Sequence, residues 1–316
     1  MRGTICEDKI SFENSDYSAK NEQKKIATVK KEFSAWILIA PLIFLVFFLI
    51  WYPQVMSIYL SFFNLKGYTP QSFIGLKNYI NVLNDTLFPK ILLNTIKYVL
   101  WSLVLGYFLP VIVAIMINEM VHFKTGFKFC IYFPAILPGI AVSLMWYLIY
   151  FPDGGGLLNM LLQMIGLPPQ EWLQNTKWAI PLLVISMTWK GMPASMLIYL
   201  ASLQGINQEL YEAAIIDGAG VLKRIRTITI PQISGVMLLL LIKQIISVFQ
   251  VLEQPMAMTS GGPNNATITL SYLAYKEGFE YFRVGPAMAI GNILFVILIV
   301  FTSFYFYISK KLDERL

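Results

Sequence analysis

Tyr211-Glu212-Ala213-Ala214-Ile215-Ile216-Asp217-Gly218-Ala219-Gly220, running on to Ile228-Thr229-Ile230-Pro231, lies between two apolar stretches each long enough to cross a bilayer. It is polar, helix-forming and rich in small residues. Asn207 is placed to cap a helix by accepting a backbone N–H, and Glu209 falls in the first turn, where negative charge suits the helix dipole. Leu210, Ala213, Ala214 and Asp217 recur at three- and four-residue spacing and so share a face. Alanine there leaves a shallow surface that fits a groove on a partner. Gly218 and Gly220 permit a sharp exit. Lys223, Arg224 and Arg226 follow, and Pro231 suits the first turn of the next helix. From periodicity alone an ordinary loop helix is the simpler reading; the full spacing favours a docking element.

The flanking sequence decides the fold class. The chain has 316 residues, 57% hydrophobic and 13% charged, against about 25% charged in soluble domains. A hydrocarbon core about 30 Å thick needs about 20 apolar residues in a helix. Six segments qualify, roughly 35–60, 91–117, 129–151, 178–203, 232–254 and 284–309. The expectation is an all-α polytopic membrane protein with six transmembrane helices over 34–309, tails at 1–33 and 310–316, and a helical loop at 205–231 between the fourth and fifth spans.

The net charge of +6 does not point to nucleic acid, because of where the cations fall. With the N-terminus inside, the inner segments hold fifteen Lys and Arg, against Lys66, Lys77, Lys177, Lys276 and Arg283 in the outer segments and Lys90 at the edge of the second span. That is the positive-inside bias, and it predicts that both termini face the cytoplasm. The polar tail lacks the apolar core of a signal peptide. Cys6 and Cys130 fall in places that do not favour pairing, so no disulfide is expected.

Several local signals subdivide the chain. The first span contains Pro41 and ends in Trp51-Tyr52-Pro53, aromatics suited to the membrane interface. Pro134 and Pro138 are expected to interrupt the third span, and Gly191 and Pro193 the fourth; together such breaks point to a transport pathway. Leu157 to Ile165 reads as a short amphipathic stretch along the membrane surface, and Ser260-Gly261-Gly262-Pro263-Asn264-Asn265 as a turn. His122, the lone histidine, falls in a tight turn, and no cluster of Asp, Glu, His or Cys suggests a catalytic or metal site.

The pattern Glu212, Ala213, Ala214, Gly218, Ile228 and Pro231 resembles the EAA loop of ABC importer permeases, with Ile230 where Leu is usual. The resemblance runs from about Phe33 to the C-terminus and is closest to carbohydrate permeases of the maltose-transporter type, in their six-span form. Gly75-Leu76-Lys77-Asn78-Tyr79, Asn94-Thr95, Gly261-Gly262-Pro263 and Tyr281 to Ala289 also match. It implies a type I importer architecture, a cytoplasmic coupling helix, and a role for Glu212, Ala213, Ala214, Asp217 and Gly218 in transmitting nucleotide state. The chain has no Gly-x-x-x-x-Gly-Lys-Ser/Thr loop, so ATP and Mg are expected on partner ATPase subunits, with no cofactor, metal or catalytic residue here. The implied partners are a second homologous permease, two ABC ATPases, an extracytoplasmic sugar-binding protein and the lipid bilayer. The implied location is a bacterial or archaeal cell (inner) membrane.

Sugar sites combine aromatic faces with polar groups that bond hydroxyls. By position, the resemblance places the substrate path at Thr188, Lys190, Gly191 and Ala194, then Phe249, Gln250 and Glu253. Lys190 and Lys243 are costly inside a membrane and should face a cavity or partner. The resemblance implies an oligosaccharide, of either charge; an acidic one selected by Lys190 is the sharper expectation, and snorkelling of Lys190, or its pairing with Glu253 or with a second permease, is the alternative. A permease for another solute, such as glycerol phosphate, and an ion-coupled secondary carrier also remain open.

Overall fold

The computed structural model describes residues 36–120 and 124–313. The tail 1–33, Cys6, His122 and Arg315 lie outside the described residues. The chain divides into two compact units, Met1–Tyr59 and Leu60–Leu316. Among the described residues, five helices are long and apolar enough to cross a membrane: Trp36–Leu60, Phe88–Glu119, Ala179–Gln204, Val221–Phe249 and Val284–Tyr307. A sixth apolar segment is a bent pair, Gly126–Ile136 and Gly139–Ile149, turned by 102°. These are called the first, second, fourth, fifth, sixth and third spans.

Within the first unit the rings of Phe44, Phe48 and Tyr52 follow one another at four-residue spacing, with centroids 5.0 and 5.9 Å apart.

The breaks differ from expectation in an instructive way. Pro138 does interrupt the third span: it caps Gly139–Ile149 in an extended conformation, while Pro134 lies inside the preceding helix. Gly191 and Pro193 do not interrupt the fourth span, which is one helix through both. Pro193 is buried, and membrane helices tolerate proline where neighbouring groups satisfy the freed carbonyl. The fifth span starts eleven residues earlier than its apolar run, because a π turn over Ile225–Thr229 carries the helix past Pro231. There the Ile230 N–H reaches the Ile225 carbonyl, five residues back. The fifth span also ends sooner, at Phe249. The all-α reading gains one exception, an antiparallel hairpin of Phe63–Lys66 with Thr69–Phe73 turned at Gly67.

The short motifs outside the spans prove to be clamps. Asn78 donates to the carbonyls of Ser61 and Phe63 at 2.7 and 3.1 Å. It also lies so close to Gly285 of the sixth span that a Cβ there would come within 2.8 Å of its amide. Asn94 donates to Asn265 and Ile268 carbonyls, and the Thr95 hydroxyl accepts from the Leu270 N–H at 3.1 Å. Asn78 thus fastens the chain at Ser61 and Phe63, and Asn94-Thr95 fastens the segment before the sixth span. Two apolar clusters fill the second unit. One includes Tyr98, Leu183, Phe249 and Ile290; the other includes Ala114, Met196, Tyr199 and Ile233.

The segment before the sixth span carries a buried carboxyl. Glu277 Oε1 accepts from Arg283, while Oε2 has no partner among the described residues. Burial raises its pKa, and Arg283 only partly opposes this. A raised folded-state pKa gives stability that is full below the ordinary glutamate value and is lost as pH rises through the shifted one. Glu277→Gln, which keeps an acceptor for Arg283, is expected to abolish that pH slope and to unfold at a higher temperature than the parent at pH 7. Thermal unfolding of the two in detergent across pH 4 to 8 checks it; parallel curves would refute it.

Candidate functional site

A cavity of about 460 Å³ opens where the second, fourth and fifth spans meet. It is reached by a local irregularity in the second span, whose helix widens to a π turn over Leu103–Tyr107. Such turns often mark functional positions. Here it brings Gly106 against the fifth span: a Cβ on Gly106 would sit 2.7 Å from the Gln244 amide and 3.2 Å from the Thr188 hydroxyl. A side chain there would displace the Gln244 amide, and the polar groups of three helices converge.

Thr188, Lys190, Gly191, Gln250 and Glu253 all line the cavity. Two others from the same sequence reading do not. Phe249 is 2% exposed and lies in the core, its ring 5.4 Å from that of Phe301. Ala194 is exposed outside the cavity lining. Sequence reasoning missed Ser102, Ser195, Gln244, Ser247 and Gln254, all of them on the lining. The only available signal was a polar residue within an apolar run, which does not reveal the neighbour it meets.

The charge in the cavity is a pair. Lys190 Nζ stands 3.8 Å from Glu253 Oε2, with side chains 28% and 47% exposed. Glu253 follows the end of the fifth span at Phe249, so chain irregularity places the carboxylate across from the fourth helix. Gly139 closes over the pair: a Cβ there would lie 1.7 Å from Glu253 Oε2 and 2.6 Å from Lys190 Nζ. The start of the third span's second half thus rests on the ion pair, with its free N–H groups beside a carboxylate. Trp189 packs edge-on against Trp146 of the same half-span, 6.0 Å away. Lys243 is exposed on the fifth span and does not line the cavity.

The 205–220 segment forms a second distinct surface. Gln208–Ile216 is helical, and Asn207 Oδ1 accepts the Glu209 N–H at 3.1 Å. The other end closes with Gly218 N–H on the Ile215 carbonyl and Ala219 N–H on the Ala214 carbonyl, with Gly218 at φ +75°. This is the Schellman arrangement, which requires a left-handed residue where Gly218 stands. Glu212, Ala213, Asp217 and Gly218 are exposed and Ala214 is half-buried. Ile216 and Leu222 project on either side of the turn, 86% and 83% exposed. Tyr211 points inward and shares a 2.9 Å hydrogen bond with Thr229, a buried residue of the fifth span.

Residues 106–314 match the model of the family described as "Binding-protein-dependent transport system inner membrane component". The chain belongs to this family. The matched region holds the 205–220 segment and nearly the whole cavity, Ser102 excepted. Among curated relatives of this membrane component is the arabinooligosaccharides transport system permease protein AraP of Bacillus subtilis (strain 168). It is 33% identical over 274 residues, covering 85% of this chain and 86% of the relative. The trehalose/maltose transport system permease protein MalF of Thermococcus litoralis is 31% identical over 279 residues, covering 87% and 93%. Among solved structures, a chain of a bacterial ABC transporter involved in the import of the acidic polysaccharide alginate superposes with a TM-score of 0.79. At 24% identity over 90% of this chain and 97% of that one, the likeness establishes the fold.

Proposed function

We propose that this chain forms half of the translocation path of an ATP-driven importer for neutral oligosaccharides. The observation that carries the reading is the cavity. Its lining offers hydroxyls and amides from Ser102, Thr188, Ser195, Gln244, Ser247 and Gln250, the donors and acceptors that sugar hydroxyls need. Its one cation and one anion are paired with each other. Glu253 offsets the charge of Lys190, which favours a neutral oligosaccharide over an acidic one. Among the curated relatives are an arabinooligosaccharide permease and a trehalose/maltose permease, which supports an oligosaccharide as the substrate.

The cavity is open on one side, and a second permease would supply the facing wall. Lys243, exposed in the fifth span, belongs toward that partner, since an ammonium facing lipid is costly. In this reading the 205–220 segment faces the cytoplasm, as do both termini, in a bacterial or archaeal cell membrane. Glu212, Ala213, Ala214, Asp217 and Gly218 present the capped helix to one of two ATPase subunits, and Ile216 and Leu222 add apolar anchors. ATP and Mg are held by those subunits. Their closure moves the helix, and the Tyr211–Thr229 contact passes the movement to the fifth span, which carries Gln244, Ser247 and the approach to Glu253. An extracytoplasmic binding protein releases sugar into the opened cavity. Of the path residues, Thr188, Lys190, Gly191, Gln250 and Glu253 take part, and no covalent bond in the sugar changes.

The deciding experiment purifies the chain from its native membrane, identifies what copurifies, and measures uptake in vesicles. A second permease and an ATPase, both lost or weakened in Glu212→Arg, together with ATP-dependent uptake of neutral oligosaccharides, support the reading. A chain that transports alone on an ion gradient overturns it. The ion pair gives a second expected outcome. Glu253→Gln frees the Lys190 ammonium, so uptake of a uronate-bearing oligosaccharide should rise several-fold relative to its neutral counterpart. An unchanged ratio in competition uptake would remove Lys190 from the path.

A further inference from the structure

The second span carries a feature that sugar passage does not use. Lys90, Leu93, Asn94, Lys97 and Trp101 recur at three- and four-residue spacing along one face of its first turns and line a groove of about 710 Å³. Lys177, from the connection before the fourth span, enters the same groove, and no Asp or Glu lines it. Lys90 Nζ donates to the Asn264 carbonyl at 2.6 Å. Lys97 and Lys177 are exposed, and neither ammonium has a partner among the described residues. Three cations without a counter-charge thus converge on one groove.

We propose that this groove holds the headgroup of an anionic phospholipid in the outer leaflet, an assignment that rests on the orientation adopted under Proposed function. Depth argues for a lipid. Lys97 lies seven residues beyond Lys90, about 10 Å farther along the helix. The second span is 32 residues long, so it overhangs a hydrocarbon core about 30 Å thick by about six residues at each end. That puts Lys90 in the headgroup layer and Lys97 just inside the hydrocarbon edge. From there its four-carbon stem carries the ammonium back to the surface. A soluble protein docking from outside meets Lys90 and Lys177 but not the deeper part of the groove. A phospholipid meets all of it, phosphate against the lysines and acyl chain against Leu93 and Trp101, which are 50% and 40% exposed. The groove is also firm, since Asn94 is fixed by its bonds to Asn265 and Ile268.

The test uses the copurified complex, or this chain alone if no partner copurifies, in nanodiscs of mixed phosphatidylglycerol and phosphatidylcholine. Lipids retained through stepwise delipidation are counted by native mass spectrometry. Lys97→Glu/Lys177→Glu is the informative variant, because neither side chain holds the protein together. Phosphatidylglycerol is expected to be retained by the parent and by Lys97→Arg/Lys177→Arg, and at least about tenfold more weakly by the glutamate variant. Equal retention overturns the proposal. So does unchanged retention with weakened binding-protein affinity, which would assign the lysines to the binding protein. So does cross-linking of position 97 to a second permease. The readout needs neither sugar nor ATP, so its failure is separable from failure of the importer reading.

Discussion

Asn159→Leu is expected to cost about 3 kcal/mol or more and to loosen the whole connection between the third and fourth spans. The wild-type side chain is fully buried in a short helix, Leu157–Met164. Its amide nitrogen lies 3.0, 2.7 and 3.0 Å from the carbonyls of Phe151, Pro152 and Gln170. Its amide oxygen accepts the Gln170 N–H and the Trp172 indole N–H, each at 2.9 Å. Leucine has the same branched skeleton and is larger, so it opens no cavity. It leaves several polar groups without their partner in a place where water does not reach freely. Each such buried group costs about 1–3 kcal/mol, and the part-buried ones fall at the low end. The turn has no slack to compensate, because a Cβ on Gly156 would lie 2.2 Å from the Phe151 carbonyl oxygen. The expected result is a marked drop in the unfolding midpoint of the purified protein, with new proteolytic cleavage between residues 151 and 178. Asn159→Asp keeps the accepting oxygen but sets a second oxygen against three carbonyls, so it should be destabilised as well. A midpoint unchanged in the leucine variant would remove Asn159 as the organiser of this segment.

That residue also marks where the sequence stops being legible. Leu157 to Ile165 reads correctly as a short amphipathic helix, and Leu157, Met160, Leu161, Met164 and Ile165 do form its exposed apolar stripe. The polar member that matters points the other way. Amphipathic spacing says which residues share a face, but not that a lone asparagine will meet five backbone and ring groups from two loops. The spans were legible for the complementary reason: long apolar runs have few alternatives in a protein. The bent third span was legible only as a proline-marked interruption, and its 102° turn was not. The fourth span misled, because glycine and proline break helices in water but are carried by packing in a membrane interior.

The cavity was half legible. Thr188, Lys190, Gly191, Gln250 and Glu253 came from positional resemblance and converge in space. The second span's share, Ser102 and Gly106, depends on a π turn that rotates one helix face, and no local residue pattern announces it. Phe249 shows the converse error. An aromatic residue near a sugar path suggests stacking on the sugar, yet this ring is buried in the core and its near ring is that of Phe301. The ion pair was open as one of two readings, and only geometry could choose. Lys190 with a free charge and Lys190 beside Glu253 call for different substrates.

The 205–220 segment was the most legible part, and its logic lies in its two caps, which leads to the second large effect. Gly218→Val is expected to reduce ATP-driven uptake by about tenfold or more, whereas Gly218→Asn should stay within about twofold of the parent. A nine-residue helix is marginal in isolation, so its direction depends on how it is closed at each end. Asn207 closes the first end, and the paired bonds from Gly218 and Ala219 close the second. Those bonds need φ +75° at Gly218. A β-branched residue pays about 1–3 kcal/mol in that region, enough to unwind the last turn and swing Ile216 and Leu222 out of register with each other. Nothing lies within 4 Å of a Cβ built on Gly218, so contact within this chain cannot account for a loss. Asparagine separates strain from bulk on the partner's side, since it tolerates the left-handed conformation while adding a larger side chain than glycine. Uptake in vesicles and copurification of the ATPase should both fail in the valine variant and both survive in the asparagine variant. If asparagine fails equally, the surface beside Gly218 is in contact with the partner, and the spacing from Glu212 to Gly218 reports close fit. If both survive, the helix is held by its Tyr211–Thr229 contact alone, and the force path to the fifth span does not pass through the glycine turn.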